Sequence, residues 1–112
     1  MFVVAACAST PLAPTASLDA ARQAIVNAER ADAGQYAAWE LSEARIKLAA
    51  ANAAIVERRM VLAERFAEGS RAEAELATAK TEAAQANAIN DEIRRSTKTL
   101  VEGMELRSGG KP

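Results

Sequence analysis

The chain has 112 residues, with 14 basic and 15 acidic side chains and a formal net charge of -1. This length suits one small domain, and so balanced a charge creates no long-range attraction for nucleic acid. Half of the residues are hydrophobic, but most of these are alanine, and only 4% of the chain is aromatic. There is no histidine, which is the commonest general base and metal ligand. The composition therefore argues against an enzyme, and against a cofactor, a bound metal or a small-molecule substrate.

The N-terminal segment contains the only cysteine, Cys7, after a short apolar run. Residues 4–7 (Val-Ala-Ala-Cys) resemble the lipobox of bacterial lipoproteins, in which a peptidase cuts before the cysteine and the thiol is acylated. No Lys or Arg precedes the run, as a signal peptide requires. Either the start codon is placed too late, or residues 1–6 are a truncated signal remnant, which is the interpretation we adopt, or the resemblance is false. The alternative is a lone thiol at a frayed chain end. By the same resemblance, Ala8 after the cysteine implies sorting to the outer membrane, with the protein facing the periplasm.

The domain boundaries follow from composition. Residues 7–16 contain two prolines and several hydroxyl side chains, which predicts an extended tether. Residues 107–112 end in Gly-Gly-Lys-Pro, which predicts a disordered tail. Between them, residues 17–106 form the predicted alanine-rich helical domain. The longest uncharged run, residues 1–18, is broken by two prolines, so we expect an anchored chain and no membrane span.

A first helix is predicted from Ser17 to Ala33. Ser17 is a suitable N-cap residue, and Gly34 is suited to end the helix in a left-handed conformation. Apolar residues recur at three- and four-residue steps and predict one buried face: Leu18, Ala21, Ile25 and Ala28.

A heptad pattern runs through the remainder of the domain. One series falls seven residues apart: Leu41, Leu48, Ile55, Leu62, Gly69, Leu76, Ala83, Asn90, Thr97 and Met104. A second series is interleaved with it: Ala44, Ala51, Arg58, Arg65, Ala72, Ala79, Ala86, Ile93 and Leu100. This spacing is typical of helices that pack as coiled coils, and the many alanines let two helix axes approach closely.

Polar residues interrupt the pattern between Arg58 and Gly69. Either one helix of about 105 Å continues through them, or the chain turns. We favour a turn near residues 56–59, with a second helix over 36–55 and a long third helix over 60–106. The predicted fold is therefore all-α, an antiparallel helical hairpin or three-helix, coiled-coil-like bundle with a long C-terminal helix. Pairs four residues apart are expected on its outer faces, including Glu43 with Lys47.

Two stretches of sequence resemble a bacterial lipoprotein family, domain-of-unknown-function family 4398. The first runs from Ala24 to Ala51 and includes the corner Gly-Gln-Tyr-Ala at residues 34–37, followed by Glu40 and Leu41. The second covers residues 65–80. The resemblance implies an envelope lipoprotein of unassigned role with a corner before Met60, and it implies no reaction.

Several residues could form a site, and each has a structural alternative. Tyr36 and Trp39 suit a ligand clamp, but we expect them to fill the corner before the second helix. Arg58, Arg59 and Arg65 suit a phosphate or lipid headgroup, but neighbouring glutamates predict a solvated corner of mixed charge. Likewise, acidic neighbours are expected to neutralise the cations of residues 94–98.

The predicted function is that of a non-catalytic, lipid-anchored envelope protein, acting as a structural or interaction module through an alanine-rich helical face. The partner is expected to be another helical envelope protein or a second copy. Asn90 and Thr97 either set the register of that interface or lie in water. The alternatives are a soluble helical adaptor and a periplasmic chaperone or carrier for apolar clients. The candidate interface consists of Leu76, Ala79, Ala83, Ala86, Asn90, Ile93, Thr97, Leu100 and Met104.

Overall fold

The computed structural model describes residues 12–109, which contain four helices and no strand. The helices are α1 (Thr15–Arg30), α2 (Ala33–Tyr36), α3 (Ala38–Val56) and α4 (Met60–Gly109). The long α4 packs along both α1 and α3. The predicted all-α bundle with a long C-terminal helix is therefore confirmed.

Some of the predicted segments lie outside the described residues. These are the signal remnant 1–6, Cys7 with the first part of the tether, and residues 110–112 of the tail. At the edges of the described range, the helices extend further than predicted. Thr15 and Ala16 of the predicted tether belong to α1, and α4 continues three residues past its predicted end, to Gly109.

The start of α1 is set by Pro14, and the prediction that Ser17 is the N-cap was wrong. Pro14 occupies the cap position, and its carbonyl accepts a hydrogen bond from the Leu18 amide at 3.0 Å. Proline suits the start of a helix because its φ is already close to the helical value and no amide hydrogen is needed there. Ser17 lies inside α1, where its hydroxyl donates to Glu64 Oε1 of α4 at 2.5 Å.

The end of α1 depends on Asp32, and the prediction that Gly34 ends the helix was wrong. Asp32 has a φ of 71°, the left-handed conformation that aspartate tolerates better than most residues. The helix therefore stops at Arg30, and Gly34 lies in the short helix α2 with a negative φ.

The turn between α3 and α4 occurs where the sequence predicts it. Arg58 has a φ of 59°. Its amide donates to the Ile55 carbonyl at 2.9 Å, and the Arg59 amide donates to the Ala54 carbonyl at 2.8 Å. These two bonds form a Schellman motif, which satisfies the last carbonyls of α3. The chain then reverses and α4 begins at Met60.

The core is built mainly from alanine. Among the described residues, the larger buried hydrophobic side chains are Leu18, Ile25 and Leu41, and the other buried hydrophobic residues are alanines. The predicted buried face of α1 is confirmed, since each of its four residues is buried. Burial of each alanine side chain contributes little to the free energy of folding, so the stability of this core depends on many close contacts between helices.

Candidate functional site

The helix α4 has two different faces: one is buried against α1 and α3, and the opposite one is exposed. The face toward α1 and α3, called the inner stripe, consists of the buried residues Ala63, Ala67, Ser70, Ala74, Ala77 and Thr81. The predicted heptad series is correct in α3, where Leu41, Ala44 and Ala51 are buried. In α4 the predicted heptad series was wrong about which residues face α1 and α3, because each buried residue lies two positions before the predicted one. Two residues are about 200° around a helix, so the predicted series lies on the opposite face.

The inner stripe brings the backbones of α3 and α4 close together. Ser70 is fully buried, and its hydroxyl donates to the Ala44 carbonyl of α3 at 2.6 Å. Thr81, also fully buried, donates to the Ala77 carbonyl of its own helix at 2.7 Å. No buried side-chain nitrogen or oxygen among the described residues lacks a hydrogen-bond partner. Small side chains with satisfied hydroxyls therefore hold the helices together.

Polar contacts at the edges of the inner stripe define the helix directions. Lys47 Nζ of α3 lies 2.8 Å from Glu73 Oε1, and Glu40 nearer the start of α3 bonds to Lys80 further along α4. The helices α3 and α4 are therefore antiparallel. The predicted pairing of Lys47 with Glu43 was wrong, because the lysine reaches across to α4.

The directions of α1 and α4 are the same. Ser17 near the start of α1 bonds to Glu64, and the Ala31 carbonyl just after α1 accepts from Gln85 Nε2 at 3.1 Å. The chain therefore enters the bundle beside the turn between α3 and α4, and the opposite end of the bundle is level with Gln85.

The carboxyl group of Glu40 has a lowered pKa. Its side chain is largely buried against α4. The hydrogen bond from Lys80 is the main cause that lowers the pKa of Glu40 below its ordinary value of 4.5, and the charge of the same lysine adds to it. Desolvation opposes this shift but does not reverse it. The pair is a structural contact between α3 and α4.

The second face of α4, called the outer stripe, is the candidate interface. All nine of its residues are exposed: Leu76, Ala79, Ala83, Ala86, Asn90, Ile93, Thr97, Leu100 and Met104. Ile93, Leu100 and Met104 have exposed fractions of 56%, 69% and 68%. The residues of the candidate interface are therefore all exposed in the single chain, and their role stays a prediction.

The last part of α4, called the overhang, consists of residues 86–109 and projects beyond the bundle. Every residue in it is exposed, and at 1.5 Å per residue it is about 36 Å long. The face of the overhang that continues the inner stripe is charged and carries two ion pairs, Arg95 with Glu92 at 3.7 Å and Lys98 with Glu102 at 3.9 Å. Of the larger apolar side chains of the overhang, Ile93, Leu100 and Met104 lie on the outer stripe, and Ile89 and Val101 lie beside it. The overhang therefore offers its apolar surface away from α1 and α3.

The sequence profile of the domain of unknown function DUF4398 matches residues 16–93. The chain belongs to the DUF4398 family. The matched region includes α1, α2, α3 and the part of α4 that packs on them, together with the first turns of the overhang. No curated protein and no solved structure matches the chain significantly.

In this DUF4398 chain, the prediction that the two aromatic residues fill the corner before α3 was wrong. Trp39 is 74% exposed and Tyr36 is 41% exposed. The buried residues at the corner are Ala33 and Ala37. Small alanine side chains therefore fill the corner, and both aromatic rings lie outside it.

The arginines at the α3–α4 turn form the solvated corner of mixed charge that the sequence predicts. Arg58, Arg59 and Arg65 are all exposed. Arg59 Nη1 lies 3.7 Å from Glu57 Oε2, and both side chains are exposed. The three arginines line one open groove of about 450 Å³ at the turn. In the overhang, Arg95 is paired with Glu92 at 3.7 Å, and both side chains are exposed.

Metal-ligating side chains, membrane-spanning helices and surface grooves were the remaining features to consider in residues 12–109. Over residues 12–109, no set of three metal-ligating side chains converges, and no helix is long and apolar enough to cross a membrane. An open groove of about 380 Å³ lies between α1 and α4. Five of its seven lining residues are polar: Gln23, Asn27, Arg71, Glu75 and Thr78, with Ala20 and Ala24.

Proposed function

We propose that this DUF4398 protein is a non-catalytic, lipid-anchored protein of the bacterial cell envelope that acts as a structural or interaction module. The observation that carries the proposal is the outer stripe of α4. The inner stripe is already covered by α1 and α3, whereas the outer stripe has apolar residues at helical spacing and is exposed along its length. Such a face suits another helix.

The direction of the helices supports an anchor at Cys7. The chain enters α1 at the end of the bundle that carries the α3–α4 turn, and the overhang leaves from the opposite end. Residues 7–14 would span at most about 25 Å if extended. An acylated Cys7 would hold the turn end near the outer membrane and direct the overhang into the periplasm, where a helical partner can reach it.

The anchor is tested by the intact mass of the protein expressed from its native locus, with the upstream sequence included. We expect cleavage before Cys7 and an added mass of acyl chains, together with partitioning into detergent. The Cys7→Ala variant is the control and should lack the added mass. An unmodified wild-type chain in the aqueous phase would contradict the anchor and support the soluble-adaptor alternative.

The interaction role is tested by placing a photo-crosslinking amino acid at Ile93, on the outer stripe, in living cells. The matched control is the same substitution at Arg95, which is also exposed but lies about 200° away on the helix. We expect discrete protein adducts from Ile93 and few from Arg95. Equal yields at both positions, or none at Ile93, would contradict the role of this face.

A further inference from the structure

The outer stripe has the pattern of one strand of a two-stranded coiled coil. It spans four heptads, with Leu76, Ala83, Asn90, Thr97 and Met104 at the a positions and Ala79, Ala86, Ile93 and Leu100 at the d positions. Heptads sustained over this length favour a coiled coil. We propose that the occupant of this face is a second copy of the chain, aligned parallel and in register.

The two polar residues of the stripe favour this arrangement. Asn90 and Thr97 both lie at a positions, and every d position is apolar. In a parallel, in-register pair, each a residue faces the same residue of the second copy, so the Asn90 amides can bond to each other and the Thr97 hydroxyls can do the same. In any antiparallel pair, a positions face d positions, and both polar side chains would be buried against apolar ones without a partner.

The flanking residues favour the same arrangement. In a parallel pair, Arg94 at an e position faces Ile89 at a g position of the second copy, where the arginine stem can cover the isoleucine. In the antiparallel register that overlaps residues 86–104 fully, the two Arg94 side chains would lie together and repel each other. The apolar residues Ile89 and Val101, at g and e positions, widen the contact surface; their exposed fractions in the single chain are 60% and 47%.

The rest of the bundle leaves room for the second copy. Because α1 and α3 pack on the inner stripe, about 200° from the outer stripe, they lie on the outside of the pair. The a and d positions beside the bundle include Ala79 and Ala83, which permit close approach. A parallel pair also places both chain starts at the same end, as two anchors in one membrane require. Only this last argument rests on the proposed lipid anchor.

The test uses the full chain with Cys7→Ser, which removes both the anchor and the competing thiol. Sedimentation equilibrium should show a reversible dimer at high micromolar concentration. The Ile93→Asp variant should raise the dissociation constant at least about a hundredfold, because carboxylates would be buried together in one layer. The matched control is Thr99→Asp, which adds the same charge on an exposed site outside the stripe and should change the constant little. Circular dichroism of both variants reports whether the helices remain folded.

Orientation is tested by single cysteines in the same Cys7→Ser chain. Asn90→Cys should form a disulfide between two identical chains under mild oxidation, whereas Arg95→Cys, on the opposite face, should form little. An antiparallel pair would instead link Asn90→Cys chains to Leu100→Cys chains in a mixture. A monomer at all concentrations would overturn the proposal. So would a disulfide between Asn90→Cys and Leu100→Cys chains without one between two Asn90→Cys chains. The dimer is measured without the lipid and the anchor is measured by mass, so either can fail alone.

Discussion

Replacing Ala77 by leucine should destabilise the bundle, whereas the same replacement at Ala79 should be nearly neutral. Both alanines lie in the middle of α4, two residues apart. Ala77 is fully buried in the inner stripe and belongs to the cluster that contains Leu41, whereas Ala79 is exposed in the outer stripe. Leucine and alanine are both strong helix formers, so the difference between the two variants measures packing.

The magnitude follows from the distance between the helices. The Ser70 hydroxyl, two bonds from its own backbone, reaches the Ala44 carbonyl at 2.6 Å, so there is no room between α3 and α4 for a longer side chain. Overpacking of a filled core costs about 1–3 kcal/mol. We expect Ala77→Leu to lie at the upper end of that range, because α4 would have to move away from its neighbours. For Ala79→Leu we expect a change within about 0.5 kcal/mol.

The measurement is urea unfolding followed by far-ultraviolet circular dichroism at low protein concentration, where association is negligible. Fluorescence would be a poor monitor because Trp39 is already 74% exposed in the folded chain. A stable Ala77→Leu variant, or an equal loss in both variants, would refute the assignment of the two faces.

Three further predictions concern single residues outside the inner stripe. Arg58→Gly should raise the free energy of unfolding by about 1 kcal/mol, because glycine adopts the left-handed φ of this position without strain. Gly34→Ala should raise it by up to about 1 kcal/mol, because an added Cβ would meet no atom within 4 Å and alanine favours helix. Glu40→Gln should lower the free energy of unfolding at neutral pH, and the variant should then lose less stability than the wild type on acidification. The folded pKa of Glu40 is lowered, so its contribution is present above pH 4.5 and disappears as the pH falls through the folded pKa.

Each of these has a control in the same urea assay. Arg58→Ala keeps the left-handed strain and should leave stability nearly unchanged, so an equal gain from alanine and glycine would contradict the turn argument. Gly103→Ala also adds a Cβ in open space, but within the overhang; it should not change bundle unfolding. For Glu40→Gln the control is Glu105→Gln, on the exposed overhang, which should leave the stability and its pH dependence nearly unchanged. An unchanged pH profile in Glu40→Gln would show that its contact with Lys80 contributes nothing.

The turn and the helix class were predictable from sequence because they depend on local signals. The polar residues 57–59 interrupt the apolar pattern, and α4 begins at the predicted residue, Met60. The inner stripe was missed because heptad counting continued through the turn, where the chain reverses and the register starts again. Alanine occurs on both faces of α4, so its pattern does not distinguish them.

Three further residues, Ser17, Ser70 and Thr81, were hard to place from sequence because a small polar residue can serve several purposes. Ser70 and Thr81 look like surface residues, yet both are buried because their hydroxyls bond to backbone carbonyls. Ser17 resembles a helix cap but bonds to another helix. The exposure of the outer stripe could be known only after α1 and α3 were placed, and its role as an interface stays a prediction.

The overhang gives α4 two different local stabilities within one continuous helix. Up to Gln85, opening the backbone of α4 requires separating it from α1 and α3, so amide hydrogens there should exchange with solvent only at the rate of global unfolding. From Ala86 onward, the backbone hydrogen bonds have no tertiary cover, and tertiary packing supplies most of the stability of helices in proteins. Slow exchange should therefore end abruptly near Gln85 in the single chain and extend to about Met104 once a partner covers the outer stripe.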